Sequence, residues 1–151
     1  MNATEMQVFV DATTHYFVQS TGLEAEVHAP YLSDATMPDV FDYTGVISVV
    51  GDFRGCIYFS APRAMMRHLL VEMGEQNHSD DYLLDMIGEI ANTLSGNARR
   101  HFGPEFIISV PVSLKGNLTD IRPPSDLRPY VVPVRWKSYR SVLVICVERG
   151  G

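Results

Sequence analysis

Glu89 and Asn92 stand three residues apart in the stretch DMIGEIANTLSGNARR, which runs from Asp85 to Arg100. If that stretch is helical, positions i and i+3 lie on one face, so a carboxylate and a carboxamide project together. Entering another protein's site, such a pair could bind a lysine through the carboxylate and hold a water in line with a phosphorus atom through the amide. At about 100° per residue, Asp85, Glu89, Asn92 and Gly96 fall within an arc of about 60°. Leu84, Ile87, Ala91, Leu94 and Ala98 mark the opposite, core-facing side. Gly88, Ser95 and Gly96 border the polar stripe. Glycine inside a helix costs about 1 kcal/mol relative to alanine, so two of them beside an exposed stripe imply close approach by another surface. The plainer alternative is a solvated face, with the glycines admitted by packing against a neighbouring strand.

Other arrangements that could carry chemistry are weaker. Cys56 and Arg63 are spaced C-x6-R where a cysteine phosphatase needs C-x5-R, and no glycine-rich phosphate cradle separates them. His15, His28, His68, His78 and His101 form no H-x-H or H-x-x-x-H pair, and neither cysteine belongs to a C-x-x-C, so no intrinsic metal site is expected. Asp80, Asp81, Asp85 and Glu89 could gather a divalent cation. Acidic residues at a helix start are accounted for more simply by the helix dipole. Arg99 and Arg100 continue the polar face to the other end of the helix, where cations suit that dipole. Cys56 and Cys146 lie in apolar, strand-like stretches and are expected as reduced, buried thiols, although their spacing leaves a disulfide open.

The elements that must position these residues come from the rest of the chain. Its 151 residues, 46% of them apolar, suit one globular domain spanning 1–151. Twelve basic against eighteen acidic side chains give a net charge of −6, which argues against nucleic-acid and anionic-membrane binding. The first residues carry no basic signal-like region, and no apolar run approaches the roughly 20 residues needed to cross a bilayer, so a cytoplasmic location is expected.

Met6, Phe9, Val10, Thr13 and Phe17 recur at helical spacing between Ala3 and Thr21, with Gly22 as C-cap. LEAEVHAPYL reads as a short strand ending near Pro30, and SDATMPD as loop. YTGVISVVGDFRGCIYFSAP reads as a hairpin turning through Gly51–Gly55. A second helix starts at Pro62 and runs to Gly74. A third runs from Asp81 to about His101, capped by Ser79 or Asp80. EFIISVPVSL is a strand, KGNLTDIRPPSDLRP a loop, and YVVPVRW with SVLVICVE a second hairpin. The order helix, strand ending near a proline, loop, hairpin thus occurs twice, with the second helix between. The class is α+β: helices packed on an antiparallel sheet in two duplicated halves.

Asp85-x-x-x-Glu89-x-x-Asn92, followed by SGNAR, closely resembles the signature of the CheC/CheX/FliY phosphatases of bacterial chemotaxis, which dephosphorylate the response regulator CheY. The tail Ser95-Gly96-Asn97-Ala98 is most similar to the CheX branch, and the closing hairpin and internal repetition resemble the same fold. The resemblance implies that Glu89 pairs with the receiver domain's lysine and that Asn92 orients the attacking water. It gives Asp85 and Gly96 supporting places and makes Pro111 the candidate for the motif's proline, at a somewhat short spacing from Asn92. It implies no cofactor in the chain itself, with Mg2+ residing in the phosphorylated partner, and a homodimer joined through its sheets. With Pro30 matched to Pro111, the first helix offers Val8 and Asp11 where Glu89 and Asn92 stand, so one site is expected. The competing expectation is a non-catalytic dimeric adaptor that binds a receiver domain without hydrolysis.

Overall fold

The computed structural model describes residues 1–34, 40–116 and 126–150. The expected loops at 35–39 and 117–125 lie outside the described residues. Three helices, α1 (Ala3–Thr21), α2 (Arg63–Glu72) and α3 (Asp80–Phe102), lie against one face of an antiparallel sheet. Its strands are β1 (Glu26–Val27), β2 (Tyr31–Leu32), β3 (Tyr43–Gly51), β4 (Phe53–Ala61), β5 (Phe106–Ile108), β6 (Val112–Lys115), β7 (Tyr130–Trp136) and β8 (Tyr139–Arg149).

Local chemistry sets the helix ends. Asn2 and Glu5 form a reciprocal capping box that starts α1, with the Asn2 Oδ1 accepting from the Glu5 amide at 2.8 Å. Gly22, at φ 73°, closes the helix in the left-handed region and donates its N–H to the Val18 carbonyl at 2.9 Å. Ser79 caps α3 by accepting from the Tyr82 amide, and Pro62 precedes α2 without a side-chain cap. The β7–β8 turn is shorter than the linker read from sequence, and Lys137 occupies a positive φ of 53° there. The β3–β4 connection is also tighter than expected, because β4 already begins at Phe53.

The sheet order is β1-β7-β8-β4-β3-β5, with β2 also on β7 and β6 also on β3. The two hairpins meet along β4 and β8, where Ile57 opposes Ile145 and Cys56 opposes Cys146. Each half lends its short strands to the other half's hairpin: β1 and β2 edge β7, while β5 and β6 edge β3. The duplicated order read from the sequence is the observed one, with one difference. Each strand expected beside a proline is two, divided around Pro30 and Pro111, because proline has no N–H for the ladder. The helix-facing core joins Met6, Phe9 and Phe17 of α1, Met66 and Leu69 of α2, and Ile87, Ile90 and Leu94 of α3 to Ile47, Ile57, Phe59 and Leu143 of the sheet. A smaller cluster of Tyr58, Val131 and Val144 lies apart from it.

Candidate functional site

Helix α3 has one wall in the core and one in solvent. Leu83, Met86, Ile87, Ile90, Ala91, Leu94 and Ala98 are buried, whereas Asp85, Glu89 and Asn92 are exposed, as the helical wheel requires. Leu84, assigned to the core side by the wheel, is only half-buried. Among the described residues, neither Glu89 nor Asp85 has an ion-pair partner, and the Asn92 amide has no hydrogen bond. A carboxylate and an amide are therefore presented one turn apart with their bonding capacity unspent.

The depth at which α3 lies is set by glycines. A Cβ on Gly45 of β3 would stand 2.4 Å from the Ile87 carbonyl oxygen, and one on Gly88 would stand 2.6 Å from the Ser113 Oγ and 3.4 Å from the Pro111 Cβ. Gly88 is thus buried under β6 and does not border the exposed stripe as the wheel suggested. Its reason is intramolecular packing. Gly96 differs: it is half-exposed, and nothing lies within 4 Å of the Cβ it lacks. Pro111 is brought against Gly88, one residue from Glu89, so the candidate motif proline and the acidic residue are neighbours across α3 and β6.

The start of α3 is pinned by charge. Asp80 accepts from the Tyr43 hydroxyl at 2.5 Å and from Lys115 Nζ at 2.7 Å, with Arg63 Nη2 at 3.4 Å. The bonds from Lys115 and then Tyr43 hold the Asp80 carboxyl down at about 2. Burial, followed by the bond to Asp80, pushes the Tyr43 phenol up to about 12. Asp80 is thereby committed to internal partners, and among the described residues no three His, Cys, Asp or Glu side chains form a metal-holding group.

Two tyrosines that the sequence reading passed over flank the pair. Burial raises the Tyr16 phenol of α1, a bond from Ser20 opposes the rise, and the charge of Glu89 adds to it. Tyr82 is raised by burial first and then by nearby acids, Glu89 and Asp85 among them. Tyr82 could have been found, since it precedes Glu89 by two helical turns on the same face. Tyr16 comes from α1, and no local pattern signals it. The α1 positions matched to the pair carry no second one: Val8 is half-buried, and exposed Asp11 accepts from Gln7 Nε2 at 2.9 Å.

The remaining candidates lie elsewhere. Cys56 and Cys146 are free, buried and directly opposed across β4 and β8. Burial pushes the Cys56 thiol up to about 12, with Cys146 adding to the rise, so it lacks the thiolate a cysteine phosphatase requires. A concavity of about 640 Å³, lined by the segment after β1, by Tyr31 of β2 and by β7 and β8, contains none of the α3 residues. No described helix is long and apolar enough to cross a membrane.

Comparison with known proteins places this geometry in a family. A family model described as chemotaxis phosphatase CheX matches residues 43–135. The solved chemotaxis protein CheX from Vibrio vulnificus has a TM-score of 0.83 at 23% identity, over 97% of this chain and 100% of that one. A chemotaxis protein CheX from Desulfovibrio desulfuricans gives 0.83 at 21% identity, over 96% and 99%. A complex of CheX with CheY, BeF3 and Mg2+ from Borrelia burgdorferi gives 0.77 at 16% identity, over 98% and 100%. At these identities the structural likeness establishes the fold. No curated protein matches the chain.

Proposed function

The chain belongs to the chemotaxis phosphatase CheX family, and from that premise we propose that it hydrolyses the aspartyl phosphate of a CheY-like receiver domain with Glu89 and Asn92. The observation that carries the reading is the exposed carboxylate and amide, without a partner among the described residues, one turn apart on a helix whose other side is locked in the core. An aspartyl phosphate is already activated by the receiver's own divalent cation, Mg2+. What remains is to place a water in line with the phosphorus and to hold it there. Glu89 pairs with the receiver's lysine and fixes the docking register. The Asn92 carboxamide accepts from and donates to the water. No strong base is required, and the chain supplies no cofactor.

Asp85 supports the pair from one turn earlier, and Pro111 supports it through its contact with Gly88. The contact with the receiver is transient, near or below about 1,200 Å², because product must leave. The same reading carries a homodimer joined through its sheets. Among the described strands, β5 and β6 form an edge at which Val110 is 83% and Val112 56% exposed, which supports that assembly. The CheX–CheY complex from Borrelia burgdorferi supports the choice of partner.

The test is to load a CheY-like receiver with phosphate and follow its decay with the wild-type chain, Glu89→Ala and Asn92→Ala. Loss of a positioning group of this kind costs about 10²- to 10³-fold in rate. Accelerated decay that both substitutions abolish supports the proposal. Binding with unchanged decay makes the chain a non-catalytic dimeric adaptor instead.

A further inference from the structure

We propose that the C-terminal end of the α3 stripe is a second anchor for the same partner. A groove bounded by Gly96, Arg99, Arg100, Gly103, Pro104 and Ile108 receives a carboxylate-bearing loop from the rim of the receiver's phosphorylation site. The inference rests on the phosphatase reading and adds the contact that sets affinity and docking direction.

The groove measures about 420 Å³ and continues the catalytic face. On the helical wheel Asp85, Glu89, Asn92, Gly96, Arg99 and Arg100 fall within an arc of about 100°, and Arg99 lies about 10 Å along the axis from Asn92. The glycine at its head is there for no internal reason. The missing Cβ of Gly96 faces open space, in contrast to Gly88, yet a mid-helix glycine costs about 1 kcal/mol. A side chain at 96 would extend into the groove, and glycine keeps it clear.

Charge supplies the second argument. Arg54, Arg63, Lys115, Arg128, Lys137 and Arg149 each have a carboxylate within ion-pair distance, whereas Arg67, Arg99, Arg100, Arg135 and Arg140, all exposed, have none among the described residues, and of these five only Arg99 and Arg100 line the groove. The helix dipole favours cations at this end but does not account for the cleared groove between them. The stripe therefore runs from acid (Asp85, Glu89) through amide (Asn92) to base (Arg99, Arg100). A receiver's phosphorylation face offers a lysine on one side, and the carboxylates that hold its cation leave the remainder anionic. A chain of net charge −6 approaching that face is repelled unless part of its own surface is positive. The basic end provides that attraction and admits one orientation, with Glu89 toward the lysine and the arginines toward the acidic rim.

The experiment uses a phosphoramidate-loaded CheY-like receiver, with decay measured across receiver concentration and ionic strength. The double variant Arg99→Glu/Arg100→Glu is expected to raise KM about 10-fold or more while kcat stays within about twofold, as for an interaction equal in ground and transition states. Its KM is also expected to lose most of the salt dependence of the wild type. Gly96→Leu, which fills the groove, is expected to raise KM without lowering Tm. Arg67→Glu, a single charge reversal with half the charge change of the double variant, at an exposed site on α2 with no ion pair among the described residues, is expected to leave KM unchanged. Three results overturn the inference: a wild-type KM and salt dependence in the double variant, an equal rise with Arg67→Glu, or a fall in kcat alone. Glu89→Ala and Asn92→Ala run alongside, so that retained activity in those two marks failure of the phosphatase reading and not of the groove.

Discussion

Replacing Gly45 with alanine tests whether the depth of α3 governs the chemistry on its far side. The new Cβ would lie 2.4 Å from the Ile87 carbonyl oxygen, 2.8 Å from the carbonyl carbon and 3.1 Å from the Gly88 Cα, all backbone atoms that no rotamer change can move. To restore ordinary contact the helix must retreat by about 1 Å. Overpacking of this kind costs about 1–3 kcal/mol, and alanine in place of glycine in a strand returns about 0.5–1 kcal/mol. The net loss, up to about 2.5 kcal/mol and centred slightly above 1 kcal/mol, lowers Tm by roughly 2–5 °C at that centre for a domain of this size. The effect on rate is larger in proportion. Glu89 and Asn92 are one and four residues from Gly88, and a displacement of about 1 Å in a positioning group costs about 10²-fold. Gly88→Ala is the informative contrast, because its nearest atom is the Ser113 hydroxyl, which can be removed: Gly88→Ala/Ser113→Ala should recover much of the lost Tm and rate, whereas no such partner rescues Gly45→Ala. Thermal melts and phosphoreceiver decay measure both quantities. A wild-type Tm for Gly45→Ala refutes the close contact, and a lowered Tm with wild-type kcat refutes the link between helix depth and catalysis.

The Asp80 cluster makes a prediction about acid. Its carboxyl is held at about 2 against an ordinary 3.8, so its contribution is complete above about pH 4 and is lost as pH falls toward 2. Asp80→Asn should therefore melt below the wild type at neutral pH, with the gap closing across that window; a constant gap would remove the ion cluster from the account of α3. The opposed thiols give another. With Cys56 pushed up to about 12 from 9.0, it should resist thiol reagents in the native protein at pH 8 and react on denaturation. Rapid native labelling of Cys56 would contradict its burial.

What was legible in the sequence was whatever depends on local period or local caps. The wheel placed Asp85, Glu89 and Asn92 outward because a 3.6-residue repeat with a strong apolar side has only one way to sit on a core. Gly22 and Ser79 mark helix ends because capping involves only neighbours within a few residues, and the Asn2–Glu5 box that starts α1, which the sequence reading passed over, obeys the same rule. For Gly88 the plainer alternative, packing against a neighbouring strand, is the observed one, and the wheel alone could not select it. Its role is fixed by Gly45, Pro111 and Ser113, which a wheel of α3 does not contain. The exchange of edge strands between halves, the approach of Tyr16 to Glu89 and the convergence of Tyr43, Arg63 and Lys115 on Asp80 are likewise long-range. Pro30 and Pro111 were read as strand ends, and each proved to be an interruption that the strand resumes after, because a proline need lose only its own ladder bond.

Helix α3 separates what holds the fold from what acts on a partner. Its buried side, from Leu83 to Ala98, is fixed by the core, by the Gly45–Gly88 contact and by the Asp80 cluster at its start. Among the described residues its outer stripe makes no internal polar bond through Asp85, Glu89 or Asn92, so substitution there removes no such bond. Glu89→Ala and Asn92→Ala should accordingly lose activity at unchanged Tm, since exposed substitutions away from caps and pairs fall within about 0.5 kcal/mol. Gly45→Ala should lose both together. A side chain that served only to solubilise the helix would behave in the first way for Tm but leave phosphate decay untouched, and that difference separates a working face from a merely wet one.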